Sequence, residues 1–365
     1  MTYDNVKKEP LVRIAKRPEL SPKKALLVRF GSIVLALLLG GLLILALGYN
    51  PVAVYGDIVK GSLLSSTALK ATAKIAVPLL GAALAIAPAF KMKFWNCGAE
   101  GQITIGAIAS TYFALNLVGT LPRPVFFVVT FIVAAICGGL WGLIPAFFKA
   151  RWGSNETLFT LMLNYIAIGF VKYLRIGPWM DRGQMFPKVP MFKPEARLPD
   201  VLGVHIGWII VLILVVLVYI YLKHTKHGYE IAVVGESIST ARYSGMNVPK
   251  IIMRTMFISG AIAGVVGWML VCGTNYTLSD TTANGYGFTA IVVAWLSKLN
   301  PFVMVLISVF LAVLRKGSNT IQTNFGIPAS ASEVLTGLIL LCMLGSEFFI
   351  HYRFVFRKKT VGGDD

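Results

Sequence analysis

Apolar and polar positions along this chain fall into long blocks. Apolar runs cover residues 30–48, 70–90, 96–118, 125–148, 158–174, 203–222, 251–272, 286–296, 302–314 and 334–350. Most approach the ~20 residues that an α-helix needs to cross a bilayer. The eighth and ninth runs are shorter, with Lys298-Leu299-Asn300-Pro301 as a tight turn between them. A short run is tolerated where a helix breaks inside the protein. The pattern predicts an all-α integral membrane protein of about ten transmembrane helices, with both termini on one side.

The blocks divide the chain into a basic N-terminal segment (1–29), a membrane domain (30–350) and a short tail (351–365). Residues 223–250 form the longest polar segment between spans, and a Pro-rich polar loop covers 176–201. The long, basic, Pro-containing stretch before residue 30 reads as the lead into an uncleaved first span, not as a signal peptide.

Composition agrees. Of 365 residues 56% are hydrophobic and 14% charged, with a mean hydropathy of +0.73. One soluble core cannot hide that much apolar surface, whereas lipid can solvate it. The 34 Lys and Arg against 16 Asp and Glu give a net charge of +18, which in a soluble protein would point to nucleic acid. Here the basic residues sit between the apolar runs, as the positive-inside rule requires, so no nucleic-acid partner is implied. With a cytoplasmic N-terminus, about 22 Lys and Arg fall inside and about 12 outside. Both termini are therefore read as cytoplasmic. Cys97, Cys137, Cys272 and Cys342 lie far apart in apolar stretches and read as small buried hydrophobes with no metal-ligand spacing.

A faint internal repeat runs through the chain. A glycine-broken apolar span leads into Asn96-Cys97-Gly98-Ala99-Glu100-Gly101 and a new helix. In the second half, residues 259–270 lead into Asn284-Gly285-Tyr286-Gly287-Phe288 and another helix. Broken segments at corresponding places in two halves are a mark of transport folds.

Polar groups inside apolar spans are the candidates for a translocation path: Asn96, Glu100, Gln102, Asn164, Asn284, Arg315 and Asn319. A carboxylate at Glu100 either faces a cavity or caps the start of the third span, with Asn96 and the amides of Gly98 and Gly101 as local donors. Asn155 reads as a helix cap with Glu156 in the first turn, and Asn164 as either interhelical glue or a pathway group. Arg315 and Lys316 fall near the outer end of the ninth span, where a watery interior path would suit them. In the polar loop, residues 236–243 can form a short helix between Gly235 and Gly245, a docking element for another protein. His224 and His227 belong with the basic membrane face.

The sequence contains no Gly-x-x-x-x-Gly-Lys-Ser/Thr phosphate loop, no metal-spaced cluster and no nucleophile–base set, so neither intrinsic ATP hydrolysis nor other enzyme chemistry is expected, and no cofactor.

Four segments carry a family resemblance. Phe94-Trp95-Asn96-Cys97-Gly98-Ala99-Glu100-Gly101-Gln102 resembles the F-N-I-G-x-E-G-Q segment of permease subunits of nucleoside ABC importers. Asn155-Glu156 with Leu161-Met162-Leu163-Asn164-Tyr165-Ile166-Ala167 is similar to the family's N-E-x…M-L-N-Y-I-A stretch. Gly228-Tyr229, Ala232-Val233-Val234-Gly235-Glu236 and residues 241–247 resemble its ATPase-docking loop, and Gly326-Ile327-Pro328 before the last span also fits. The matches run in order over roughly residues 70 to 350. Trp95 is inserted bulk, and Cys97 replaces the usual aliphatic.

The resemblance implies a ten-span permease of a bacterial plasma membrane, paired with a second related permease. ABC ATPase subunits would dock at Gly235, Glu236, Ala241, Arg242 and Gly245, and a substrate-binding lipoprotein would deliver a nucleoside from outside. The wider superfamily also takes ribose-type sugars and branched-chain amino acids. From the residues alone, an ion-coupled secondary transporter is the alternative of another class, with Glu100 as its intramembrane carboxylate.

Overall fold

A computed structural model of the protein describes residues 12–17, 21–183 and 185–356; the rest of the basic N-terminal segment and of the tail lies outside the described residues. Among these, thirteen α-helices make up most of the regular structure. The chain divides into two compact units, Asp57–Thr320 and a smaller one of Met1–Gly56 with Ile321–Asp365.

The larger unit is built around α3 (Ser66–Lys91) and α10 (Val248–Met269). Each buries 83% of its apolar window, against about a third or less for the other full-length spans of the unit, so these two form its centre. Around them pack α4 (Ala99–Asn116), α5 (Arg123–Trp152), α6 (Glu156–Ile176), α7 (Gly207–His224) and the short α11 (Tyr286–Leu296). Glycine makes this possible. A Cβ on Gly264 of α10 would run into the Ala134 carbonyl of α5, and one on Gly106 of α4 would run into Gly264. The three backbones cross so closely that no side chain fits between them, which suits association where lipid removes the hydrophobic drive. Trp268 Nε1 donates to Thr130 Oγ1 at 3.0 Å across the same seam.

α10 loosens into a π-helical turn, Leu270–Asn275, and the chain then leaves through Tyr276 in a left-handed conformation. The loop before α7 grips this exit. Phe192 N donates to Tyr276 O and Leu198 N to Cys272 O, both at 2.8 Å. The same loop carries a two-residue hairpin, β2 (Asp200–Val201) with β3 (Val204–His205).

In the smaller unit α1 (Pro22–Ala46) packs on α13 (Ala329–His351), and β1 (Val12–Lys16) pairs antiparallel with β4 (Tyr352–Phe356). The first and last described strands thus lie side by side.

Seven helices are long and apolar enough to cross a membrane, or eight if the pair Phe30–Ala46 and Pro51–Leu63, bent by 114°, counts as one span. With α4 and α11 they fall at the ten predicted places. Two expectations change, and one helix is added. The segment after Asn50, unassigned by the apolar pattern, is a helix, α2 (Pro51–Leu63), opened by Pro51, whose missing N–H costs nothing in a first turn. α12 (Pro301–Phe325) does not end at residue 314 but continues through Arg315, Lys316 and Asn319. Its polar stretch is accommodated because Gly317 lies against Ile58 and Thr320 Oγ1 donates back to Lys316 O at 3.1 Å. The polar loop holds two helices, α8 (Lys226–Glu236) and α9 (Ile238–Tyr243), so Glu236 closes the first and does not open a single short one.

Candidate functional site

The two broken segments of the internal repeat meet. At the end of α3 the chain turns through Lys93 (φ 57°) and reverses over residues 94–98 into α4. In the other half Asn284 and Gly285, both left-handed (φ 45° and 73°), turn the chain into α11. Glu100, 5% exposed in the first turn of α4, reaches across. Its Oε1 accepts from Gly285 N and its Oε2 from Gly287 N, each at 2.7 Å. A carboxylate on the exposed amides of a helix N-terminus is a charge-assisted, dipole-matched contact. Gly287 is required here because a Cβ would collide with the Glu100 backbone. From the far side Arg315 Nη2 donates to Asn284 O at 2.6 Å, and its guanidinium stands over the Tyr286 ring at 4.8 Å. The entry to α11 is thus held by an acid on α4 and a base on α12.

Glu100 is therefore a cap, but for α11 and not for its own helix. The donors expected for it serve others. Gly98 N bonds Asn96 Oδ1 at 3.0 Å, and Gly101 N bonds Asn164 Oδ1 at 2.8 Å. Asn96 Nδ2 in turn donates to Gln102 Oε1 at 3.2 Å and to Ser259 Oγ at 3.1 Å. Asn164 Nδ2 donates to Cys97 O at 2.9 Å, so both ends of its amide staple α6 to the reversal before α4. Asn96, Gln102 and Asn164 are at most 2% exposed. A buried network of this kind keeps its shape because each member is satisfied.

Of the seven path candidates the structure gathers Asn96, Glu100, Gln102 and Asn164 into this network and adds Asn284 through its carbonyl and Arg315 through its guanidinium. Asn319, exposed, lies one helical turn beyond Arg315 on α12. A second junction was missed. Trp95 stacks on Trp295 at the end of α11 (centroids 5.5 Å, interplanar 13°), with Phe90 edge-on to both. The insertion of Trp95 was the only sequence signal for it. The cap read at Asn155 is present: its Oδ1 accepts from Thr157 N and Leu158 N, and Glu156 pairs with Lys149 at 2.8 Å. Among the described residues no group of His, Cys, Asp and Glu could hold a metal. Cys272 is buried, while Cys97, Cys137 and Cys342 are only half-buried.

The polar loop seats on the end of α3. Gly235 is buried against the Lys91 carbonyl so tightly that a Cβ would overlap it, and Lys91 Nζ donates to Leu222 O at 2.6 Å. Glu230 on α8 pairs with Arg254 on α10 at 2.7 Å, and that hydrogen bond holds the Glu230 carboxyl below the usual carboxylate range. Ala241, one of the five expected docking positions, is wholly buried within this chain. The outward side of α9 carries Ile238, Arg242 and above all Tyr243, 94% exposed. Gly245 ends the helix with φ 74° and open space around it.

A model of the family described as "Branched-chain amino acid transport system / permease component" matches residues 69–344. A glucose ABC transporter permease of Haloferax volcanii is 32% identical over 88% of this chain and 88% of its own length. A guanosine ABC transporter permease of Bacillus subtilis is 31% identical over 93% of this chain and 97% of its own. A nucleoside ABC transporter permease of Lactococcus lactis is 30% identical over 91% and 92%. The chain belongs to this permease family and is the multi-pass membrane subunit of an ABC importer, which works with ATPase and substrate-binding partners.

Proposed function

We propose that this permease carries nucleosides inward. The observation that supports this most directly is its similarity to the guanosine and nucleoside permeases, which extends over more than nine-tenths of both partners in each pair. A second reading, import of a sugar, is favoured by the glucose permease at 32% identity. Both solute classes are polyhydroxylated and neutral, so a path that exchanges hydrogen bonds without strong binding suits either.

In this reading the protein sits in a bacterial plasma membrane with both termini cytoplasmic and forms half of the path, a second related permease supplying the rest. Arg315 and Asn319 on α12 contact the solute. The buried Asn96–Gln102–Asn164 network and the Glu100 cap keep the two broken helices in register around it. ATP hydrolysis belongs to separate subunits that dock on α8 and α9. Closure of those subunits pushes the loop against the end of α3, through Gly235 on Lys91, and against α10, through Glu230 on Arg254. These two contacts carry the push to the central helices and switch the path between outward and inward access. Extracellular recognition is left to a lipid-anchored binding protein.

Competition of uptake by guanosine, other nucleosides, ribose, glucose and leucine in a reconstituted complex tests the proposal. Inhibition by nucleosides is expected. Inhibition by glucose or ribose with nucleosides inert would assign the protein to sugar import.

A further inference from the structure

α6 buries one side only. Thr160, Leu163, Asn164, Ala167 and Val171 face the protein. The opposite side exposes Leu158, Met162, Tyr165, Gly169, Lys172 and Ile176, a strip spaced by alternate steps of four and three along the helix.

Tyr165 is out of place on a lipid-facing surface. It is the tenth of the 21 residues of α6, roughly 14 Å along a helix of about 31 Å, and therefore at mid-depth. The residue is 74% exposed. Among the described residues its hydroxyl has no hydrogen-bond partner. Tyrosine in membranes concentrates at the two interfaces, where ring and hydroxyl each find their own medium. In mid-bilayer a bare hydroxyl against hydrocarbon has lost its water and gained nothing. One turn further along, a Cβ on Gly169 would meet nothing, and the exposed Lys172 follows. A phenol, an open notch and an ammonium thus follow one another along the middle of a strip whose ends, Leu158, Met162 and Ile176, are apolar.

We propose that this strip lines the solute's route and that Tyr165, beside the notch at Gly169, is a stacking platform for the flat ring of a nucleobase. The inference rests on the nucleoside reading and names the residue that makes the path prefer an aromatic solute. Stacking on a single exposed ring tolerates any base, because every base offers a π-face. It is also weak enough to let the solute leave, as a path requires.

The complete importer, reconstituted in vesicles, carries the test. Tyr165→Leu should lower the maximal rate of guanosine uptake about tenfold, with the binding protein's affinity and ATPase association unchanged, and Tyr165→Phe should retain most of it. Tyr165→Cys, compared with the unsubstituted chain, should react with a charged, water-soluble thiol reagent, and guanosine should slow the reaction. Labelling only by a lipid-soluble reagent would place the strip against lipid and overturn the proposal. Cross-linking to the second permease without aqueous labelling would make it a subunit contact and do the same. Aqueous labelling with full guanosine uptake by Tyr165→Leu would remove the platform. If the unsubstituted complex imports no nucleoside while Tyr165→Cys still labels from water, the substrate reading has failed and the strip's place on the route has not.

Discussion

Glu100 and Gly285 lie 185 residues apart in sequence, yet the carboxylate of the first accepts the amide of the second at 2.7 Å and so joins the two halves of the internal repeat at their breaks. Because Gly287 N takes the other oxygen at the same distance, the group must accept twice. Glu100→Gln puts an NH2 opposite one of those N–H groups, which loses one bond and weakens the other. Loss of about 2–3 kcal/mol of stability is expected, read as a lower unfolding midpoint in detergent and reduced uptake. An unchanged midpoint would show that the cap does not bear on the fold.

The crossing of α4, α5 and α10 predicts a sharper failure. Gly264 meets the Ala134 carbonyl and the Gly138 Cα where no Cβ fits. Gly264→Val should part the helices at the centre of the larger unit, with a cost of at least a few kcal/mol, and abolish accumulation of folded protein. Gly31→Val, at a glycine with nothing within 4 Å, is the control and should accumulate normally.

On the polar loop Ala241 is wholly buried and Tyr243 is 94% exposed, so the proposed ATPase contact is best tested at Tyr243. Tyr243→Ala removes the most exposed aromatic of α9 and should weaken pull-down of the ATPase while leaving the membrane protein folded. Ala241→Trp, at a wholly buried position, should damage the loop itself and lower thermal stability. Gly245→Trp is strained by its φ of 74° and should lie between the two. Retention of the ATPase by Tyr243→Ala would place docking elsewhere.

Span positions were legible because apolar length is dictated by bilayer thickness, and α11 coincides with its predicted run, residues 286–296. The polar candidates were legible because a buried carboxylate or amide is rare in a span. Their partners were not. Glu100 bonds Gly285 and Gly287, and Asn164 bonds Gly101, contacts set by tertiary folding that local spacing does not encode. The inward face of Ala241 was missed for the same reason: six residues show too little of a helical period to tell which side is buried. The extension of α12 through Arg315 was hidden because its polar half breaks the apolar pattern on which the reading relied.

His205, on the hairpin before α7, is wholly buried, accepts from Gly207 N at 3.2 Å through Nδ1 and has no partner at Nε2. Burial, then the charge of Lys74, push its pKa down to about 4 against the opposing pull of Asp200. The folded state therefore holds the imidazole neutral, whereas the unfolded chain protonates it near pH 6.5. Its contribution is present in full above about pH 6.5, shrinks as the pH falls through that value toward about 4, and is lost below, at most about 3 kcal/mol. His205→Asn, which keeps an acceptor for Gly207, should flatten the fall in unfolding midpoint between pH 6.5 and 4. An equal fall in both proteins would assign the pH dependence to other groups.

The substrate and the energy source are tested together by guanosine uptake into vesicles holding this permease, its partner permease, the ATPase and the binding protein. Uptake that requires internal or external ATP on the ATPase side, saturates, and is competed by nucleosides but not by glucose or leucine is the predicted result. ATP-dependent uptake of glucose with guanosine neither carried nor competing would contradict it.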